Sequence, residues 1–226
     1  MITGHSRVAG VIGWPVEHSL SPANHNAWFE ESGSDWVYVA MPVEPLHLRD
    51  AMYGVRALGI GGLSVTMPHK EAIIEYLDVV DDIASALRAV NCVAVRENQL
   101  IGTNTDGDGC CDAIEQRGET SVAGKRVAVL GAGGTARAIA AAMMRRGAHV
   151  HVVNRSINRA HELVEMCHSV RFEQVSDSPH LGSVVVATAN DISSCDIVIN
   201  ATSVGMNTTE HPCDIALVDP SAIVMD

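Results

Sequence analysis

Lys125-Arg126-Val127-Ala128-Val129-Leu130-Gly131-Ala132-Gly133-Gly134-Thr135-Ala136-Arg137 is the stretch whose reading decides the fold. A short β-branched run feeds a glycine turn, and an alanine-rich segment of helical character follows without a break. In a strand–turn–helix setting Gly131 permits the tight turn and Gly133 lets the backbone approach a pyrophosphate. Ala136 stands where a third small residue allows helix and sheet to pack closely. Phosphates would rest on the exposed N–H groups of Gly134, Thr135 and their neighbours, where the helix macrodipole favours anions. A glycine pattern of this kind is weak evidence alone; its surroundings strengthen it.

One crossover later, past a helix expected from Thr135 to about Arg146 and stopped by Gly147, a second strand reads His149-Val150-His151-Val152-Val153-Asn154-Arg155-Ser156. An NAD site usually carries Asp or Glu at the end of this strand, about 20 residues past the glycines, to bind the ribose 2′-hydroxyl. Here Asn154 and Arg155 stand there, with Arg159 one helical turn further on. A carboxylate repels a 2′-phosphate, whereas a guanidinium holds it through paired, charge-assisted hydrogen bonds. Two arginines at a helix start also oppose the helix dipole and so call for another reason. The expected cofactor is NADP rather than NAD. The plain alternative is a solvated helix start.

The 226 residues are 47% apolar and only 4% aromatic, enough for one large core or two modest ones in closely packed α/β layers. A formal charge of −12 argues against nucleic acid and anionic membranes as partners, because both attract basic surfaces. A polyanionic cofactor must then be held by local donors, which returns attention to the glycine loop and its arginines. The six cysteines form no C-x-x-C pair, so no metal is expected and reduced thiols in a cytoplasmic protein are the natural reading. Met1 to Arg7 has no apolar leader character, and no run approaches the length of a membrane span.

Strands are expected at Val8–Gly13, Trp36–Met41 and Gly61–Thr66, and at Val90–Val95 and Gln99–Thr103, joined by a tight turn at Glu97-Asn98. Ser21-Pro22 reads as an N-cap and first-turn proline of a helix ending near Gly33. Leu48, Met52, Val55 and Leu58 form a helical stripe, and Pro68-His69-Lys70 starts a helix through Leu77. A bridging helix runs from about Asp108 to Gln116, closed by Gly118. Beyond the glycine-loop unit's second strand come a helix near Arg159–His168 and an uncertain stretch to Gly182. Strands at Ser183–Ala187 and Cys195–Asn200 follow. Ligands sit at the carboxyl ends of strands in such sheets, so Asn200 to Met206, Thr202 included, should border the cofactor. The fold class is α/β with two domains, an α/β substrate domain over 1–106 and a doubly wound Rossmann-type NADP-binding domain over 107–226. Ala222 to Asp226 reads as the opening of a further buried strand, which suggests a truncated chain and a sheet lacking its last strand.

Polar residues gather at strand ends and helix starts: Ser19 and Ser21, Ser64 to Lys70, and Asn91 with Asn104 to Asp106. Hydroxyls and amides both donate and accept, which suits a polyhydroxylated ring acid. Taken singly, Ser21, Thr66 and Asp106 read as caps, Lys70 as a solvated helix residue, and His69 as a packing residue rather than a base. The set lies immediately upstream of a dinucleotide site, and that favours the functional reading.

These segments resemble the shikimate dehydrogenase (shikimate/quinate dehydrogenase) family. The matching stretches are Val11 to Pro22, Ser64 to Lys70, Ala89 to Asn91, Gly102 to Gly109, Gly131 to Arg137, Asn154 to Ser156 and Asn200 to Met206, in family order over nearly the whole chain. The resemblance implies reversible reduction of 3-dehydroshikimate to shikimate by NADPH in aromatic amino-acid biosynthesis. It implies that Ser19 and Ser21 bind the substrate carboxylate and that Thr66, Asn91 and Asp106 contact ring hydroxyls. Lys70 would be the catalytic lysine, paired with Asp106. Asn154, Arg155, Ser156 and Arg159 would clamp the adenosine 2′-phosphate, Gly131 to Ala136 the pyrophosphate, and Met206 would pack the nicotinamide. A small-molecule enzyme of this kind is expected as a monomer or homodimer. Similar enzymes continue past the equivalent of Asp226. Two alternatives therefore stand beside the main reading: a broader quinate/shikimate dehydrogenase, and an NADP-binding relative impaired by the missing segment.

Overall fold

The computed structural model describes residues 2–169, 181–205 and 208–226 and divides into two compact units, Met1–Asn104 and Thr105–Asp226. The first unit runs β1 (Arg7–Gly13), α1 (Ser21–Glu31), β2 (Trp36–Pro42), α2 (Leu48–Ala57), β3 (Gly62–Val65), α3 (His69–Ala72), β4 (Val79–Val80), α4 (Asp82–Leu87), β5 (Cys92–Arg96) and β6 (Gln99–Thr103). Its six-stranded sheet has the order β2-β1-β3-β5-β6-β4. β1 is parallel to β2 and β3, while β5 is antiparallel to both β3 and β6. The two faces bury different sets. Ile12, Leu63, Val65 and Val93 meet Leu48, Met52 and Val55 of α2. Ala9, Val11 and Tyr38 meet Phe29 of α1.

Several local expectations change here. Leu58 belongs to the sequence stripe of α2 but lies past its end and is 78% exposed. α1 begins at Ser21 itself, with Leu20 at the capping position and no side-chain cap. The helix expected through Leu77 stops at Ala72 and tightens into a 3-10 turn over Ile73–Tyr76, whose first residue is fully buried. Packing of Ile73 and of the adjoining strand ends overrides helix continuation there. β4 and α4 were not expected. The start of α4 is nonetheless marked by Asp81, whose carboxylate accepts from the Ala84 N–H at 2.6 Å. The Glu97-Asn98 turn is as read, with φ of 50° and 64°, the left-handed pair of a two-residue hairpin.

The second unit runs α5 (Asp106–Gly118), β7 (Arg126–Leu130), α6 (Gly134–Arg145), β8 (His149–Val153), α7 (Ile157–Ser169), β9 (Ser183–Val186), β10 (Ile197–Asn200) and β11 (Ile223–Met225). Among the described residues its sheet has five strands in the order β11-β10-β7-β8-β9, every pair parallel. The order reverses between β7 and β10, which makes their carboxyl ends the crevice of a doubly wound sheet. Val127 to Leu130 are all buried, as expected of a central parallel strand covered on both faces. α5 starts two residues earlier than expected, and its left-handed closing residue is Glu119 rather than Gly118. Gly118 serves packing instead: a Cβ there would stand 2.8 Å from Ile223 Cδ1. The terminal strand forms at the edge of the sheet, but Val224 at its centre is 64% exposed rather than buried.

Candidate active site

The candidate residues fall on both units, and each group is built by its own unit. In the first, Ser19 and Ser21 open α1. The Ser21 N–H donates to Ser19 Oγ at 3.2 Å, and the Ser19 N–H donates to the Val16 carbonyl at 3.0 Å. The ends of β1 and β3 are stitched by the Thr66 N–H on the Ile12 carbonyl at 2.9 Å, which sets Thr66 against Gly13. α3 hangs from that corner: the His69 N–H donates to the Thr66 carbonyl, and the Lys70 carbonyl accepts from the Val90 N–H at 2.8 Å. The next residue, Asn91, is gripped on both sides, its carbonyl by Val65 N–H at 2.8 Å and its N–H by the Thr103 carbonyl at 3.1 Å. Main-chain bonds thus carry Thr66, Lys70 and Asn91 on one continuous set of strand ends. His69 is fully buried, and its Nε2 lies 2.7 Å from the Val43 carbonyl. A carbonyl only accepts, so Nε2 carries a proton and His69 ties strand ends together, as its packing reading anticipated.

In the second unit Gly131 has φ of +118°, and a Cβ there would lie 3.0 Å from the Ala201 carbonyl oxygen and 3.1 Å from Thr202 Cγ2. Only glycine satisfies both the left-handed backbone and the close approach of the β7 and β10 ends. The Gly131 N–H donates to the Val153 carbonyl at 2.9 Å, which joins the loop to the end of β8 as well. Gly133 occupies the capping position of α6 with no side chain to cap it, so the first N–H groups of a twelve-residue helix are open to an anion. Ala132 and Thr135 are half-buried, and Ala136 is fully buried, as close helix–sheet packing asks. The Thr135 hydroxyl donates to Asp106 Oδ2 at 3.4 Å. The corner after β10 is organised by Asn200, whose Oδ1 accepts from both the N–H (3.0 Å) and hydroxyl (2.7 Å) of Thr202.

Beyond β8, the Asn154 side chain donates to the Ser156 carbonyl at 2.8 Å. Arg155, Ser156 and Arg159 are exposed. Among the described residues, neither Arg155 nor Arg159 makes a hydrogen bond or an ion pair. Met206 lies outside the described residues. A cavity of about 470 Å³ is walled by Leu130, Val198, Val204, Ile215 and Val218. Its lining also takes in Asn200 and Gly205, so it opens at the carboxyl ends of β7 and β10, without reaching Gly131–Ala136 or Arg155. Among the described residues no cluster of His, Cys, Asp or Glu could hold a metal, and no helix is long and apolar enough to cross a membrane. One contact had no signal in the motifs: the Tyr38 hydroxyl donates to Ser64 Oγ at 2.5 Å. Tyr38 sits in an ordinary apolar strand run, and nothing in its spacing marks it.

Residues 11–93 match the family model described as the shikimate dehydrogenase substrate binding domain, and residues 113–211 match the one described as shikimate / quinate 5-dehydrogenase. The chain belongs to the shikimate dehydrogenase family. A shikimate dehydrogenase (NADP(+)) of Geobacter metallireducens is 43% identical over 230 residues, covering 100% of this chain and 79% of the relative. A shikimate dehydrogenase crystallised with NADP+ superposes with a TM-score of 0.89 at 36% identity, over 100% of this chain and 78% of its own. The Thermus thermophilus enzyme, solved with NADP(H) and shikimate, gives a TM-score of 0.84 at 30% identity, over 96% of this chain and 77% of its own. These three relatives are named for NADP(+) or were solved with NADP, and they share the α/β two-domain architecture.

Proposed function

We propose that the protein is an NADP-dependent shikimate dehydrogenase, interconverting 3-dehydroshikimate and shikimate in aromatic amino-acid biosynthesis. The observation that carries the cofactor choice is the pair of guanidiniums, Arg155 and Arg159, unpartnered among the described residues, where an NAD enzyme presents a carboxylate. The residues present fit the group. The uncapped start of α6 takes a pyrophosphate and Gly131 permits its close approach, while Asn154, Arg155, Ser156 and Arg159 receive a 2′-phosphate. Thr202 borders the same strand ends, and Met206 follows it along the chain.

When bound, the dinucleotide supplies or accepts the hydride at the ring carbon. Ser19 and Ser21 hold the ring acid by its carboxylate, and Thr66, Asn91 and Asp106 orient its hydroxyls. In the reducing direction Lys70 Nζ gives a proton to the forming alkoxide, and in the oxidising direction it takes the proton back. Asp106 orients the lysine and holds the reacting hydroxyl. Positioned proton transfer of this kind contributes about 10²–10⁴-fold. Six free thiols fit a reducing cytoplasm, and the enzyme acts as a monomer or homodimer.

Steady-state assays with shikimate and NADP+ beside quinate and NAD+ test the reading. The first pair is expected to be turned over well and the second poorly; the reverse order would assign the chain to the broader quinate-using relatives. Lys70→Ala is expected to depress kcat by about 10²-fold or more while leaving the affinity for NADP+ unchanged. Equal losses in both would remove Lys70 from the chemical step.

A further inference from the structure

Tyr38 is held at three points, and each leads to a part of the candidate substrate site. Its N–H donates to Asn26 Oδ1 at 2.9 Å, and its carbonyl accepts from Asn26 Nδ2 at 2.8 Å. The amide of α1 therefore replaces a neighbouring strand along this stretch of β2, which is the edge of its sheet. The same Nδ2 donates to the Pro22 carbonyl at 2.8 Å, in the first turn of the helix. The His25 ring stacks on the Tyr38 ring, centroids 4.1 Å apart and planes 12° from parallel, while its Nδ1 donates to the Ser21 carbonyl at 2.9 Å. At the far end of the ring, the hydroxyl donates to Ser64 Oγ on β3. Tyr38 thereby couples the helix start that carries Ser19 and Ser21 to the strand end that carries Ser64 and Thr66.

A buried phenylalanine would fill the same space, so the hydroxyl calls for a separate reason. Burial pushes the phenol pKa up and outweighs the opposing effect of its hydrogen bonding with Ser64, so Tyr38 remains protonated and a donor. A hydroxyl that accepts one hydrogen bond keeps its own proton to give. Among the described residues Ser64 makes no other side-chain hydrogen bond. Ser64 pairs in register with Val11, whose side chain packs on the α1 face of the sheet, so Ser64 lies on the face that α1 covers.

We infer that Tyr38 is a positioning residue of the substrate pocket: by donating to Ser64 it turns the Ser64 hydroxyl into a committed donor toward an oxygen of the polyhydroxylated ring acid. The inference rests on the shikimate dehydrogenase reading. It adds two members, one direct and one acting through the other, to the substrate contacts proposed for the first unit, Ser19, Ser21, Thr66, Lys70 and Asn91.

A double-mutant cycle on the full chain tests it, with KM and kcat measured for shikimate and for NADP+ in wild type, Tyr38→Phe, Ser64→Ala and the double variant. Loss of one neutral hydrogen bond should raise the KM for shikimate about three- to tenfold in Tyr38→Phe. The kcat and the KM for NADP+ should stay within about twofold, as uniform substrate binding requires. Ser64→Ala should raise the same KM by at least as much, and adding Tyr38→Phe to it should change nothing further. An unmoved KM in both single variants overturns the inference, as does a Tyr38→Phe effect of equal size in the Ser64→Ala background. A wild type inactive on shikimate overturns the functional reading and this inference together, whereas an active wild type with unmoved variants overturns the inference alone.

Discussion

Two pairs of arginines in the second unit meet opposite fates. Arg145 and Arg146, at the end of α6, face a row of carboxylates on α5 spaced along one side of that helix, Asp108, Asp112 and Glu115. Arg146 reaches Asp112 at 2.6 Å, Glu115 at 2.8 Å and Asp108 at 3.2 Å, and Arg145 also pairs with Asp108. Burial pushes the Asp108 carboxyl up, yet the two guanidiniums together hold it below the usual carboxylate range. The other pair, Arg155 and Arg159, is exposed and has no partner among the described residues, at a helix start where positive charge opposes the dipole. The same side chain thus acts as a fastener between two helices in one place and stays exposed in the other, where the proposed function gives it a 2′-phosphate. Arg88, Arg96 and Arg117 are exposed without a partner among the described residues as well, so what sets Arg155 and Arg159 apart is their place just past the end of β8, the strand end that the Gly131 N–H joins.

The contrast is broken or sharpened by changing one member of each pair. The largest effect is expected for Arg155→Ala, which should lower kcat/KM for NADP+ by about 10- to 100-fold, the worth of a charge-assisted bond. Activity with NAD+ and the melting temperature should hardly move. A melting temperature that falls while the NADP+/NAD+ preference stays would mean the two pairs have been assigned the wrong way round. Arg146→Ala should do the opposite, lowering stability by about 1–2 kcal/mol in denaturant titration while leaving cofactor preference alone. That figure is below the one for a fully buried pair because the carboxylates are partly exposed. The network's contribution is complete above the usual carboxylate range and is lost as acid protonates Asp108.

The smallest effect lies on the strand between the two pairs. His151 on β8 has its pKa lowered by burial and by the neighbouring charges of Arg126 and His149, against the pull of Asp191. The unfolded chain takes this proton first as pH drops below about 6.5. Stability should therefore decline from that point toward the lower folded pKa and stay level above it. Melting curves between pH 5 and 8 should show a shallower decline in His151→Gln than in wild type, and identical slopes would remove His151 from the account.

What was legible beforehand follows the range of the interactions. Arg155 and Arg159 could be read because the strand, the crossover and the fingerprint place them by local spacing alone. The partnered pair could not, because Arg146 is 31 residues from Glu115 and only the packing of α5 on α6 brings them together. Ser64 stands in a legible polar cluster, but its contact with Tyr38 does not show in the sequence for the same reason, 26 residues apart and linked across β1. Lys70 was placed on a helix start, yet the helix ends at Ala72, because burying Ile73 counts for more than local propensity. α5 does end at Gly118, as its sequence position implies, but the contact of Gly118 with Ile223 is a packing role that appears only once β11 is in place.

Calorimetric titration of the wild-type protein with adenosine 2′,5′-bisphosphate and with adenosine 5′-monophosphate isolates the one group on which the cofactor assignment turns. The bisphosphate should bind at least about tenfold more tightly, with the difference vanishing in the Arg155→Ala, Arg159→Ala double variant. Equal affinities in the wild type would contradict the assignment.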